Sequence, residues 1–189
     1  MSTPGSAGRR ADAVRNRGLA LEAATELLSE PDAALTVEAI AKRAGLGAGT
    51  VVRAFGGKEA LLDAAVAGLL EPIVLRAREL RGSTRPDEAL RTFLAELMDV
   101  HAAHHGVGDR LSGLDLPATD ALRAELVAAV EEMIDRGRGA GLLRTDLDAG
   151  LLTTLVGRTA YAVARGRTAD HDPTEAYLTV LMDGLRPRP

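Results

Sequence analysis

The chain has 189 residues, 46% of them hydrophobic and 26% charged, enough apolar material to bury a core, so a wholly disordered polymer is excluded. It has no cysteine, which excludes disulfides, thiolate metal sites and a cysteine nucleophile. Its net charge of −4 is uneven: residues 1–60 carry +1 and the remainder −5, so a polyanionic partner is expected on the first third and not over the whole surface.

Aromatic residues make up 2% of the chain (Phe55, Phe93, Tyr161 and Tyr177), whereas Ala, Leu, Glu and Arg abound. That balance disfavours sheets, which lean on aromatic and β-branched residues, and favours helices. The longest apolar stretch, 61–75, is interrupted by Asp63 and Glu71 and falls short of the roughly 20 apolar residues that span a bilayer. The N-terminus lacks the apolar run of a signal peptide. A cytoplasmic protein with no membrane partner is expected.

In chain order, residues 1–9 are Gly, Ser, Pro and Ala rich and are expected to form a disordered tail. From Arg10, apolar residues at Val14, Leu21, Ala24, Leu27 and Leu28 recur every three or four positions, a helix stopped by Pro31. Thr36 is placed to cap a short helix over 37–44, with Glu38 near its positive end. Gly45 suits a left-handed stop. A second short helix ends at Gly56 and Gly57. A long helix over 58–80 contains Pro72, which has no N–H for the Gly68 carbonyl, so a kink is expected there. Further helices are expected near 87–105, 118–138, 147–166 and 173–185. The fold class is all-α, about nine helices, with a three-helix head over 10–56 and a larger helical body over 57–189.

The densest pattern lies in 37–55. Val37, Ile40, Ala41, Ala44, Leu46, Val51 and Phe55 are apolar, and Gly45 separates the two short helices. Ala41 is small where a second helix must cross closely. Val51 and Phe55, four apart, lock that helix down and leave Ala48, Thr50, Val52 and Arg53 facing outward. This is a helix-turn-helix pattern, whose second helix enters the DNA major groove. The residues alone also fit an ordinary helical hairpin.

The segment RNRGLALEAATELL, followed by LTVEAIAKRAGLGAGTVVRAFGGKEALLDAAV, resembles the N-terminal domain of TetR (tetracycline repressor)-family regulators. Ala23-Ala24, Thr36, Ile40-Ala41, Ala44-Gly45, Gly49-Thr50, Arg53, Phe55 and Lys58-Glu59-Ala60-Leu61 carry the likeness. It implies a ligand-responsive regulator, a repressor released from a palindromic double-stranded DNA operator by a small, largely apolar effector. The DNA-binding set is then Thr36, Gly47, Ala48, Gly49, Thr50, Val52, Arg53 and Lys58, with Thr36, Thr50 and Lys58 on phosphates. The chain departs from the family at Gly47 (usually Ser or Thr), Val52 (usually Tyr) and Ala54 (often His or Tyr). The alternative is a helical small-molecule or metal-binding protein whose head no longer binds DNA.

The resemblance also implies an effector pocket in the body and a homodimer formed by the last two helices. Phe93, Leu97, Met98, His101, Met133 and Tyr161 are the candidate pocket residues. Leu152, Leu155, Val156, Ala160, Tyr177, Val180 and Leu181 are the candidate interface, although their stripes suit an intramolecular core equally. His101 and His105 lie four apart on one helix face, a spacing open to a metal. No third ligand accompanies them, and no metal or cofactor is expected. The GLGAGT run lacks a P-loop lysine and follows a helix, and Glu131-Glu132 point apart as sequence neighbours, so no enzyme chemistry is expected.

Overall fold

The computed structural model describes residues 4–188. Among them it has nine helices: α1 (Pro4–Ser29), α2 (Val37–Ala44), α3 (Ala48–Phe55), α4 (Lys58–Arg81), α5 (Pro86–Ala103), α6 (His105–Arg110), α7 (Pro117–Gly139), α8 (Ala149–Arg165) and α9 (Thr174–Leu185). No helix of the described residues is long and apolar enough to cross a membrane.

Two expectations are corrected at the start of the chain and after α5. The segment 4–9 is helical, not a disordered tail, and residues 1–3 lie outside the described residues. Pro4 occupies the first helical position, where its missing N–H costs nothing. The six-residue α6 was not expected, because its two glycines, Gly106 and Gly108, mask a helical signal.

The chain packs as two compact units, the first running to Leu69 and including Gly106–Asp120, the second comprising Leu70–His105 and the residues from Ala121 onward. The division differs from the expected boundary after residue 56. Leu61, Leu62, Ala65 and Val66 at the start of α4 belong to the first core, together with Val107, Leu111 and Leu116. The chain passes between units three times, inside α4, before Gly106 and inside α7.

The first core mixes alanines with leucines. Ala20, Ala23, Ala24, Leu27 and Leu28 make the buried stripe of α1, met by Ile40 and Ala41 of α2 and Val51 of α3. Polar ties close it. Arg110 donates from Nη1 to the carbonyls of Leu27 (2.8 Å), Leu28 (2.9 Å) and Glu30 (2.8 Å), and from Nη2 to that of Ala33. Carbonyls at a helix end have no partner within the helix, and this guanidinium supplies one. Asp63, on α4, is buried and caps α7: it accepts from the N–H of Ala118 (2.9 Å) and Thr119 (2.8 Å) and from the Thr119 hydroxyl (2.7 Å). Burial pushes its carboxyl up, but these three donors outweigh burial and hold it below the usual range.

The second core is built round a phenylalanine. Phe93, Leu90, Leu94 and Met98 of α5 are fully buried, alongside Met133 and Ile134 of α7 and Leu178 of α9. The helix α5 packs on both α8 and α9. Pro72 lies inside α4, which runs through it unbroken.

Candidate nucleic-acid interface

The α2–α3 pair is shaped by its turns. The Thr36 hydroxyl accepts the Ala39 N–H (3.1 Å) and so caps α2. Gly45 has φ 66°, a left-handed conformation that a side chain would strain, and its N–H closes the helix on Ala41 and Lys42. Gly56, with φ 87°, ends α3 the same way on the Val52 carbonyl.

The two helices differ at their N-termini. Whereas α2 has the Thr36 cap, α3 begins after Gly47 with no side-chain cap. Gly47 has φ −77°, so its backbone does not require glycine; the Ser or Thr usual in the family would cap here. The bare Gly47 and Gly49 leave the start of α3 accessible to a bulky anion, and a helix N-terminus favours negative charge.

Of the expected DNA set, Gly47, Gly49, Val52 and Arg53 are exposed around α3, with Val52 at 43% exposure. Ala48 and Thr50 are half-buried. Thr36 is exposed, and because its oxygen accepts from Ala39, its O–H stays able to donate. Lys58 is exposed as the first residue of α4. Arg53 donates to the Thr50 hydroxyl (3.3 Å) along α3. The face therefore offers one guanidinium fork, one ammonium, two hydroxyls and a short apolar side chain, which suits phosphate contact and major-groove edges.

Two arginines that no sequence signal marks hold this face in place. Arg17 of α1 donates to the Ala54 carbonyl (2.7 Å), and its guanidinium lies 4.1 Å from the Phe55 ring centroid, pinning the end of α3. Arg43 of α2 bonds Glu26 of α1 (3.1 Å) and Glu30 just beyond its end (2.8 Å). The Arg43 guanidinium holds the Glu30 carboxyl below the usual carboxylate range. Their partners lie far along the sequence, so spacing alone does not reveal them.

The candidate residues of the second unit fare differently. Phe93, Leu97, Met98 and Met133 are buried members of the core cluster, and His101 and Tyr161 are half-buried with ring centroids 5.0 Å apart, edge to face. A recess of about 240 Å³ in this unit is lined instead by Arg91, Leu142, Leu143, Met182, Asp183 and Arg186, among others, and by none of the six. Because α5 ends at Ala103, His101 and His105 lie on different helices, which corrects their expected common face; the His105 side chain is outside the described residues. Burial keeps the His101 imidazole below its ordinary pKa, helped by Arg123 and His104.

Leu152, Val156 and Ala160 face the chain's own core and are at most 4% exposed, so they offer a partner little surface. The Tyr177 hydroxyl is engaged within the chain, 2.7 Å from Thr159 Oγ1 and donating to the Val156 carbonyl (3.3 Å). Leu181 is half-buried. Leu155 (47%) and Val180 (74%) are exposed, as is Leu151 (50%), which lies one turn before Leu155 on α8.

Comparison with known proteins agrees with this architecture. Residues 20–65 match the sequence profile of bacterial regulatory proteins of the tetR family, and 85–187 match that of the SbtR-like transcriptional regulator C-terminal domain. A TetR transcription regulatory protein from Mycobacterium vanbaalenii is 34% identical, with 94% of this chain and 98% of that one covered and a TM-score of 0.63. The TetR regulator SCO0520 from Streptomyces coelicolor is 30% identical, covering 92% of this chain and 99% of that one, with a TM-score of 0.65. The HTH-type transcriptional repressor KstR2 of Rhodococcus jostii (strain RHA1) is 28% identical over 200 residues, 97% of this chain and 94% of that protein. The chain belongs to the TetR family of bacterial transcriptional regulators.

Proposed function

We propose that the protein is a cytoplasmic, homodimeric repressor that holds a palindromic operator through α3 and releases it on binding a small, largely apolar molecule in its helical body. The observation that carries the reading is the exposed α3 face, with uncapped Gly47, Gly49 and the Arg53 fork, on a helix-turn-helix whose other side is locked by Val51 and Phe55. The repressor KstR2 supports the direction of control. Leu151 and Leu155 of α8 and Val180 of α9 are the apolar groups available to a two-fold partner. The effector must bind the released form more tightly, by as much as it weakens operator binding. Pro72, which leaves the Gly68 carbonyl without its helical donor, is where α4 bends with least cost.

Selecting operator sequences from a random duplex library, followed by band shift, tests this. Half-sites about one helical turn apart are expected. Arg53→Ala should cost ~1–3 kcal/mol and relax the preference at one position per half-site. A uniform loss over all operator variants would reassign Arg53 to a phosphate. Failure to enrich any duplex would favour a small-molecule-binding protein with a silent head.

A further inference from the structure

We propose that the start of α1 is a basic arm that grips the phosphate backbone of duplex DNA beside the bases facing α3. This rests on the reading of the head as a DNA-binding unit.

The helix α1 runs over Pro4–Ser29, and from Gly8 onward its first buried residue is Ala20. From Gly8 to Leu19 every residue is exposed except the half-buried Asn16. This stretch packs no core, although it contains Val14, 73% exposed. Its charge runs against that of the chain. Arg9, Arg10, Arg15 and Arg17 face a single acid, Asp12, in a protein of net charge −4. The pairing of Asp12 with Arg15, at 3.5 Å between groups 67% and 71% exposed, neutralises little in water.

The arm is continuous with the proposed DNA face. Arg17 already lies against the end of α3, at the Ala54 carbonyl and the Phe55 ring. Arg10 is seven residues earlier, two helical turns, and so lies on the same side of α1. That places it ~10 Å further along the helix axis. One DNA strand carries a phosphate every ~3.4 Å of axis, so an arm ~10 Å long offers Arg10 a phosphate other than one that Arg17 could meet. Val14 and Leu19 are the only large apolar side chains exposed on this stretch, too few for the apolar face of a membrane-surface helix. Charge complementarity therefore selects DNA. Gly5, Gly8 and Gly18 weaken the isolated helix, so a polyanion that neutralises its arginines would also firm it.

Arg10→Ala and Arg10→Lys test the arm, with affinity for a random-sequence duplex followed as salt rises from about 50 to 200 mM. Arg10→Ala should flatten the salt slope by about 0.9 per arm, or about 1.8 in a dimer, so that its deficit against the wild type narrows about tenfold across that range. Arg10→Lys should keep the wild-type slope, and both variants should keep the wild-type melting temperature. An Arg10→Ala slope equal to wild type, or a lysine variant that behaves like alanine, overturns the arm and leaves the α3 reading standing. Loss of affinity for anionic vesicles with an unchanged DNA slope overturns it in favour of a membrane. Wild-type protein that binds no duplex overturns both readings together.

Discussion

The first unit packs an alanine stripe against leucines and buries a carboxylate, Asp63, within it; the second packs around a phenylalanine ring, and its arginine ties are half-buried or exposed. Arg110 meets carbonyls at Leu27, Leu28, Glu30 and Ala33, and Asp63 meets Ala118 and Thr119. Around Phe93, Leu90, Leu94, Met98, Met133 and Leu178 fill space, and the arginine ties of this unit, Arg136 to the Ser83 carbonyl and Arg144 to the Gly184 carbonyl, are half-buried or exposed. An alanine stripe lets helices approach closely but offers little shape, so directional bonds help to fix orientation there. Interlocked large side chains fix orientation by shape. The contrast assigns each unit its own point of failure.

The largest effect is expected from Phe93→Ala, which should destabilise by ~3–5 kcal/mol in chemical denaturation. Hydrogen exchange should then lose protection in α5, α8 and α9 before α2. Equal loss in both units would break the contrast. Next comes Asp63→Ala, at ~1–3 kcal/mol, because three donors lose their acceptor, two of them on the buried Thr119. Faster exchange should appear at the Ala118 and Thr119 amides; unchanged exchange there would show that packing alone holds the start of α7. Thr36→Ala should cost ~0.5–2 kcal/mol through the lost cap, and Thr36→Asn should recover most of it in the melting temperature.

The smallest effect concerns pH. The His101 pKa is lowered from 6.5, so the folded state prefers the neutral ring. The unfolded chain takes up the proton first as pH falls through 6.5, and stability drops until the folded ring also protonates. Asp63 works in a lower window: its pKa is lowered from 3.8, so its contribution is complete above 3.8 and is lost as pH falls through the folded value. His101→Phe keeps a ring beside Tyr161 and should lessen the fall in melting temperature between neutral pH and about pH 5.5. An undiminished fall would assign that sensitivity to other groups.

Local chemistry was legible in the sequence. Thr36, Gly45 and Gly56 announce a cap and two left-handed stops, because only a few residue types satisfy those backbone positions. The apolar spacing of 37–55 gave the two short helices, since that stripe has a single buried face. The stripe of α8 misleads for the opposite reason. Leu151, Leu152, Leu155 and Val156 are all apolar, yet Leu152 and Val156 are buried while Leu151 and Leu155 are exposed. A wide apolar band does not say which edge meets the chain's own core. The start of α1 was hidden by glycine and serine, which are poor helix formers, whereas residues 4–9 lengthen a helix already nucleated and so need no new nucleus. Arg17, Arg43, Asp63 and Arg110 act across long sequence separations and have no local signature.

The discontinuity of the first unit sets an order during synthesis. Its core includes Val107, Leu111 and Leu116, and Asp63 finds its partners only at Ala118 and Thr119. A ribosome adding ~5–20 residues per second therefore holds an unfinished head for several seconds after Leu69 has been made. During that interval the apolar stripe of α1 and the start of α4 lack their last neighbours. Nascent chains arrested before residue 107 should accordingly be cleaved readily by protease within the head, while chains arrested far enough downstream to expose residue 120 should resist.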